Sequence, residues 1–411
     1  MITYLSHLLL VLSLLGIIAL LSDDYWFVGK ATLNHSDDKN ITSSSSSSSS
    51  GPWKDVAPRI HVQELPFWLQ DYVEYHNEAM LQNNISAHRY MIYTCKKGHH
   101  CSGTGNRQRG IMATFLVSIL TKRVFLMDID NPVPLDQILE PHLIRWNEIP
   151  DSLSELESEA LDVRNVQPNP LQRPGDFKER KQVIRILANG PGGLETIWKS
   201  AEMRELLTTE EEQSLPSTIY KWIFHTLFRP SVALKALVQE QRTALGLLTS
   251  NTSFSPYIGI HIRLGGGGAW HGMREERYNV TAALPHFLQL GHQLQQETFH
   301  NHKNVPLVII SDEADAKEIM YAMDPASVRY VSNATIVHVD RSRDLDKNDV
   351  QGSLQVWADL LLLAQATCLV ESLSSFSSLA RRISIVEDEP ERCFVRQEDG
   401  MLMQQWKQYW K

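Results

Sequence analysis

A histidine and an arginine two positions apart precede a run of four glycines, and together they are suited to binding a phosphate group. His261 and Arg263 end the apolar segment 257–263, YIGIHIR, and the glycines 265–268 follow after one leucine. Alternate side chains of a strand share a face, so His261 and Arg263 point to the same side. Arginine offers phosphate oxygens a planar fork of donors, and glycines let backbone N–H groups approach an anion. The pattern predicts a diphosphate site; a surface turn with a structural arginine is the alternative.

A serine-rich segment near the end of the chain has the composition of a second anion-binding loop. Residues 372–378 read SLSSFSS and precede a predicted helix over 379–385. Serine hydroxyls and the free N–H groups of a helix N-terminus favour an anion, and Phe376 has a flat face that could stack on a base. The alternative interpretation is ordinary N-capping, with Phe376 packed inward.

The first half of the chain contains a related segment, 103–110, with the sequence GTGNRQRG. This segment also lies between a predicted strand and a predicted helix. It has neither the GxGxxG order of dinucleotide-binding loops nor the Gly-Lys-Ser/Thr of a P-loop. Classical NAD binding and P-loop chemistry are therefore disfavoured, and the chain has neither the kinase motif set nor a GxSxG nucleophile elbow.

Three other groups of side chains are weaker candidates for chemistry. Asp128 and Asp130 resemble the DxD metal motif known from glycosyltransferases, although an acid at a strand end commonly caps or turns the chain. Glu275 and Glu276 follow the glycine run and are candidates for a general base; an exposed helix start is the alternative. The two histidines 99–100 lack a second ligand pair, which favours a solvated loop over a metal site.

The elements that position these residues follow a strand–loop–helix–strand rhythm in each half. Strands alternating with helices predict parallel sheets covered on both faces, with ligands beyond the carboxyl ends of the strands, here at loops 102–110, 261–268 and 371–378. The region 131–250 is expected to be mostly helical, with the acidic runs 155–159 and 210–212 on solvated helix faces. The predicted strands are 89–94, 124–128, 257–263, 305–310, 335–339 and 368–371, and the predicted helices are 111–122, 311–320, 353–367 and 379–385.

The N-terminal residues form two segments that are not expected to be globular. Residues 4–21 are eighteen consecutive uncharged positions, enough to span a bilayer, so residues 1–22 are predicted to be a signal anchor rather than a cleaved signal peptide. Residues 23–57, with eight consecutive serines, are predicted to be a flexible stem. Two lobes follow, over 58–250 and 251–411.

Charge, sequons and cysteines indicate the class of protein and its compartment. A formal net charge of −9 argues against a nucleic-acid partner. An excess of Asn-x-Ser/Thr sequons favours a glycosylated lumenal protein. Of the three possible pairings of the four cysteines, Cys95–Cys101 and Cys368–Cys393 are preferred, since the spacing matches no zinc template. The sequons stand at Asn34, Asn40, Asn84, Asn251, Asn279 and Asn333.

Three of these segments resemble motifs of the inverting, GDP-fucose-dependent fucosyltransferase superfamily. Residues 257–266, YIGIHIRLGG, resemble its H-x-R-x-G motif, which the α1,2, core α1,6 and protein O-fucosylating groups share. Residues 101–128 are similar to the G-x-G-N-R segment of xyloglucan-type α1,2-fucosyltransferases. Residues 359–380 resemble the third motif, with its Ser-Ser/Thr-Phe-Ser core. The motifs occur in the expected order, and 131–250 carries no resemblance.

The resemblance implies an α/β protein of GT-B-like fold, in which two doubly wound, Rossmann-like lobes face a cleft, with GDP-fucose as donor and without a metal or other cofactor. It implies that Arg263 neutralises the β-phosphate of the leaving GDP and that His261 lies beside the diphosphate. The four glycines depart from the family pattern, and no motif assigns the general base. The other donor-binding residues implied are Gly105, Asn106, Arg107, Gly265, Gly266, Asp359, Ser374, Ser375 and Phe376.

The function expected from the sequence is transfer of fucose to a hydroxyl of a glycan or glycoprotein. The expected location is the Golgi membrane, with a single-pass type II topology and a lumenal catalytic part; the ER lumen or secretion is the alternative. Two other functions remain open. One is another nucleotide-sugar transferase of GT-B fold, and the other is a catalytically silent lumenal protein that binds a carbohydrate or nucleotide.

Overall fold

The computed structural model describes residues 61–384 and the strand 394–396. The predicted anchor and stem lie outside the described residues. Within the described part, no helix is both long enough and apolar enough to cross a bilayer. The positions left out between 61 and 384 are 83, 100, 165, 167, 189–192, 249–254, 265–268, 271–272, 275–279, 300–304 and 333–348.

Two parallel sheets form the framework of the described chain. The first has the strand order β2-β1-β5-β4 and the second the order β11-β10-β7-β12-β13, while β3 pairs with β6 and β8 with β9 as antiparallel ribbons. The strands are β1 Tyr90–Cys95, β2 Val124–Ile129, β3 Leu139–Pro141, β4 Ser158–Asp162, β5 Val183–Leu187, β6 Phe228–Pro230, β7 Ile258–Ile262, β8 Ala269–Trp270, β9 Met273–Arg274, β10 Leu307–Ser311, β11 Val328–Arg329, β12 Cys368–Glu371 and β13 Phe394–Arg396.

Helices connect the parallel strands and cover the sheets, as parallel topology requires. The second helix, which follows β1, is buried along almost its whole length, in agreement with its apolar sequence. The helices are α1 Phe67–Leu81, α2 Thr104–Leu120, α3 Gly193–Ile197, α4 Ala201–Arg204, α5 Thr209–Leu227, α6 Val232–Ala244, α7 Val280–Thr298, α8 Ala314–Met323, α9 Val350–Gln365 and α10 Ser375–Arg382.

Strand β7 is the central strand of the second sheet, and its two faces pack against different parts of the protein. Ile258, Ile260 and Ile262 are buried in the hydrophobic cluster that covers one face of this sheet. On the other face, a Cβ at Gly259 would lie only 3.0 Å from the Cβ of Ala366, so the absent side chain lets β7 pack closely against the end of α9. The alternation that buries the isoleucines therefore turns His261 toward α9 and the residues after β12.

The two helices that follow the GNR segment and the serine-rich segment begin earlier than the sequence predicts. The structure starts α2 at Thr104, seven residues before the expected 111, and α10 at Ser375, four residues before the expected 379. Both early turns consist mainly of glycine, serine and polar residues, which have low helix propensity and no apolar period. The predicted phosphate-binding segments are thus first turns of helices as well as loops.

The predictions for the region 131–250 are partly wrong. The run 155–159 does not lie on a helix face, because residues 158–162 form β4, which pairs in parallel with β5. There Glu159 forms an ion pair of 3.0 Å with Arg180, which stabilises a polar strand at the sheet edge. The run 210–212 is in helix α5, as expected. The predicted strand 335–339 lies outside the described residues, and the lobe boundary at 250/251 stays a prediction.

Helix α2 packs closely against the first sheet at Gly110, and this close packing leads to a stability prediction. A Cβ at Gly110 would lie 2.5 Å from the backbone oxygen of Ala188, so we expect Gly110→Ala to lower the free energy of unfolding by about 1–3 kcal/mol. Gly175→Ala is the matched control, because its Cβ would meet only the movable end of the Glu202 side chain. Urea denaturation of both variants checks this, and equal midpoints would contradict it.

Candidate functional site

His261 is fixed in place by the loop between β12 and α10. It is buried at the end of β7, and its Nδ1 lies 2.9 Å from Ser372 Oγ, within hydrogen-bonding distance. Its ring centroid is 5.3 Å from that of Phe376, with the rings tilted by 36°. The histidine and the serine-rich segment, which lie more than a hundred positions apart in sequence, therefore form one local structure.

Arg263 is held by an acidic residue that the sequence did not single out. Its Nη1 lies 2.9 Å from Asp312 Oδ2, and the other carboxylate oxygen, Oδ1, accepts a hydrogen bond of 2.8 Å from the N–H of Leu264. Asp312 follows directly on β10, the neighbour of β7 in the sheet. One carboxylate thus orients both the guanidinium and the backbone that leads into the glycine run.

The role of Asp312 differs from the one its sequence suggests. The acids after residue 311 were expected in the first turn of a helix, whereas α8 begins at Ala314 with Glu313 as its N-cap. Asp312 therefore lies in the loop at the carboxyl edge of the sheet. In the sequence, Asp312 is recognisable only as an acid directly after a predicted strand. Its pairing with Arg263 becomes apparent only from the strand order, which places β10 beside β7.

The start of α10 is organised by serine side chains. Ser374 is its N-cap and accepts a hydrogen bond from the N–H of Phe376 at 3.2 Å, so the capping alternative holds for this serine. Ser377 Oγ donates to the backbone oxygen of Ser372 at 3.1 Å. Ser375 and Phe376 are partly buried. The positive end of the helix dipole is thereby presented beside His261, which favours an anion there.

The first turn of α2 meets the first turn of α10. A Cβ at Gly105 would lie 2.5 Å from both the backbone carbon and the backbone oxygen of Ser375, so no side chain fits at this position. Asn106, one residue on, donates from Nδ2 to Ser102 Oγ at 3.2 Å. The segment 103–107 and the segment 374–376, which are far apart in sequence, are thus brought together at one place.

Arg107 is buried and anchors loops around this contact. Its guanidinium donates hydrogen bonds to the backbone oxygens of Asn131 and Ser102, the latter at 3.3 Å. The side chain thereby ties the segment after β2 to the segment before α2. These contacts are the kind that keep a loop in position beside a binding site.

Asp359 lies on α9 at the end of a row of side-chain amides. Gln241 Nε2 donates to Gln355 Oε1, and Gln355 Nε2 donates to Asp359 Oδ1, both at 2.7 Å. Burial of the carboxyl raises the pKa of Asp359 to about 6, while the nearby Lys317 ammonium and the Gln355 hydrogen bond act to lower it. The amide row fixes one carboxylate oxygen. Neither glutamine was singled out from the sequence.

The DxD-like acids lie at the edge of the first sheet and are paired with cations. Lys96 Nζ contacts a carboxylate oxygen of Asp128 and lies 3.5 Å from Asp130, and Arg185 Nη1 lies 3.4 Å from Asp128. Two cations thus already compensate these two carboxylates, which does not favour a metal site. Across the described residues, no cluster of three or more potential metal ligands occurs.

The structure tests some of the remaining sites. The Cys95–Cys101 disulfide is confirmed, and Cys368 is also disulfide-bonded, although its expected partner Cys393 is not described. Asn84 is exposed before a short 3-10 turn, and its use as a glycosylation site stays a prediction. The predicted residues that lie outside the described part are Gly265, Gly266, Glu275 and Glu276, with the sequons at Asn34, Asn40, Asn251, Asn279 and Asn333.

The fold is similar to that of solved fucosyltransferases. Arabidopsis thaliana FUT1, a point mutant in complex with GDP, matches with a TM-score of 0.53 and 14% identity over 77% of this chain and 76% of that chain. Fucosyltransferase NodZ from Bradyrhizobium matches at 0.44 and 14% over 72% and 92%, and POFUT1 in complex with GDP-fucose at 0.39 and 14% over 75% and 98%. No family model and no curated sequence matches. The predicted α/β, GT-B-like fold is confirmed by the FUT1 match.

The raised pKa of Asp359 predicts how stability depends on pH. The folded protein holds this proton up to about pH 6, whereas a free carboxyl releases it near 3.8. The folded state therefore binds more protons in this interval, and stability falls as pH rises from about 4 to 6. We expect Asp359→Asn to reduce this fall and to raise the thermal midpoint at pH 7.5. Asp71→Asn, at an exposed position of α1, is the control; coincident pH profiles for both variants would contradict the assignment.

Proposed function

We propose that this protein transfers fucose from GDP-fucose to a hydroxyl of a glycan or glycoprotein, with inversion at the anomeric carbon. The observation that carries the proposal is the cation of Arg263, oriented by Asp312 at the carboxyl end of β7. Arg263 directly follows β7. The loop after the neighbouring strand, β12, leads into the N-terminus of α10. FUT1, whose fold is similar, was solved in complex with GDP, which supports a guanine nucleotide as ligand. In parallel sheets such ligands bind beyond the carboxyl ends of the strands.

The chemistry needs positive charge where the leaving group forms. When the glycosidic bond to phosphate breaks, negative charge builds on the β-phosphate of GDP. A guanidinium and helix N–H groups fixed beforehand stabilise that charge without reorganising during the reaction. In this proposal Arg263 supplies the cation, with 19% of its side chain still exposed despite the Asp312 ion pair. The hydrogen-bonding contact between His261 and Ser372 holds the adjacent loop in place.

The nucleoside has candidate contacts on the same side of the site. Phe376 is partly buried against His261 and offers an aromatic face to a base. Asp359 has one carboxylate oxygen fixed by Gln355, which leaves the other to accept hydrogen bonds from N–H groups of guanine or from ribose hydroxyls. Gly105 and Asn106, on α2, would close the site from the opposite side.

Inversion requires a single displacement, in which a base takes the proton of the acceptor hydroxyl as it attacks. Glu275 and Glu276 remain the candidates for this base because they follow the glycine run in sequence. No metal is part of the proposal. In the proposed topology, residues 1–22 anchor the protein in the Golgi membrane and the catalytic part is lumenal, which agrees with an oxidised Cys95–Cys101 pair.

Nucleotide selectivity separates this proposal from the two other functions. We expect GDP and GDP-fucose to raise the thermal midpoint of the protein, because a ligand at a hundredfold excess over its Kd adds about 2.7 kcal/mol to the free energy of unfolding. We expect UDP and UDP-sugars to leave the midpoint unchanged. A shift with UDP alone would favour another nucleotide-sugar transferase. Stabilisation by GDP-fucose without transfer to any member of a glycan array would favour a silent binding protein.

Removal of the cation tests the mechanism. Arg263→Ala should lower kcat/KM for GDP-fucose by roughly 10²–10³-fold, because the charge that develops on GDP then lacks its preorganised partner. Lys181→Ala, which removes an exposed cation paired with Glu157 at the edge of the first sheet, is the control and should leave turnover unchanged. Transfer by Arg263→Ala at the wild-type rate would rule out the role given to this arginine.

A further inference from the structure

A small cavity lies between the start of α2, the segment after β2 and α9. Its volume is about 30 Å³, and both helices that frame it also carry residues of the proposed donor site. Polar side chains, including the guanidinium of Arg107, and apolar side chains share its wall. The lining includes Thr104, Gln108, Asn131, Pro132, Ser353 and Trp357.

Two polar side chains of this cavity have no hydrogen-bond partner among the described residues. Gln108 is fully buried, and neither its Nε2 nor its Oε1 is hydrogen-bonded. Ser353 is 4% exposed, and its Oγ is likewise without a partner. Burying an amide or a hydroxyl unpaired costs about 1–3 kcal/mol for each group. Such groups in one cavity indicate a site that is complete only with a bound polar group.

The chemistry of the lining defines what that group is. An amide offers one donor and one acceptor side, and a serine hydroxyl offers both, so the ligand must donate as well as accept. Arg107 also lines the cavity, which disfavours a cation. The walls of Trp357 and Pro132 suit C–H groups. A neutral hydroxyl on a carbon skeleton meets all these requirements.

The volume sets the size of the group. A cavity of this kind holds about one water-sized group for every 10–15 Å³, so about 30 Å³ admits roughly two. A whole pyranose ring is too large for that space. One hydroxyl or one hydroxymethyl group of a sugar fits, with the ring remaining outside.

The cavity adjoins the proposed site of transfer. Thr104 and Gln108 flank Gly105, whose position against Ser375 marks the contact between α2 and α10. Ser353 and Asp359 lie on the same helix, six residues or roughly 9 Å apart along the axis. A group seated between Gln108 and Ser353 would therefore belong to a ligand that also reaches the donor site.

We propose that Gln108 and Ser353 form a saccharide subsite, which takes a hydroxyl or hydroxymethyl group of a sugar ring through hydrogen bonds to the Gln108 amide and the Ser353 hydroxyl. This inference rests on the proposed function and adds to it two specificity-determining residues. The sugar is either the fucose of the donor or the terminal residue of the acceptor, since both present the same chemistry.

The test compares donor and acceptor kinetics in the full-length protein. The variants are Gln108→Met, which keeps the length of the side chain without the amide, Ser353→Ala, and the pair. Ser118→Ala is the matched control: Ser118 is also buried on α2, but its hydroxyl donates to the backbone oxygen of Thr114 at 2.8 Å. KM is measured for GDP-fucose and for the array glycan that the wild type fucosylates fastest, and Kd is measured for GDP, which carries no sugar.

We expect the paired variant to raise one of the two KM values about tenfold, which corresponds to the loss of about 1.4 kcal/mol of hydrogen bonding. A change for GDP-fucose assigns the subsite to the donor sugar, and a change for the glycan assigns it to the acceptor. The Kd of GDP and all constants of Ser118→Ala should stay within twofold of wild type.

Two results would overturn the subsite. One is unchanged KM values for both substrates in the folded paired variant, which would leave the two side chains with bound water alone. The other is an equal loss of GDP affinity, which would mean that the substitutions distort the whole site. A wild-type protein that neither binds GDP nor transfers fucose would instead reject the proposed function, and the subsite with it.

Discussion

The close contact between the first turns of α2 and α10 is the constraint on which the rest of the site depends. Gly105 has no space for a side chain because the backbone of Ser375 lies where its Cβ would be. Two helix N-termini, each following a parallel strand, are thereby brought to one point, one from each sheet. The positive ends of both helix dipoles lie close to that point, which makes it suited to an anionic ligand.

The electrostatics of this region differ from those of the whole chain. A net charge of −9 describes a protein with an acidic average, whereas the end of β7 has a guanidinium fixed by one carboxylate. Asp312 orients Arg263 and also binds the backbone of Leu264, so the cation and the backbone just after β7 are positioned together. A preorganised charge of this kind acts on a developing negative charge without reorganising, which is why the pairing suits group transfer.

Much of the framework could be predicted from the sequence because strand cores and buried helices have clear apolar patterns. The strand at 368–371 was predicted with the observed bounds, and β2, β7 and β10 differ by one or two residues at their ends. The starts of α2 and α10 could not be predicted, since glycine and serine turns have no apolar period. The sequence predicts a helix face over the acidic run 155–159, whereas residues 158–162 form β4, because pairing with β5 overrides the preference of these residues.

The sequence by itself determined which chemical groups are available. These are His261 and Arg263 at the end of β7, the serine-rich segment, the GNR segment and the Cys95–Cys101 pair. Only the tertiary structure decided that Asp312 pairs with Arg263, that Ser372 binds His261, and that Gln108 and Ser353 share a cavity. The physical reason is strand order. Residues separated by about fifty to more than two hundred positions become neighbours when parallel strands pair and their helices pack, and a linear pattern contains no signal for that pairing.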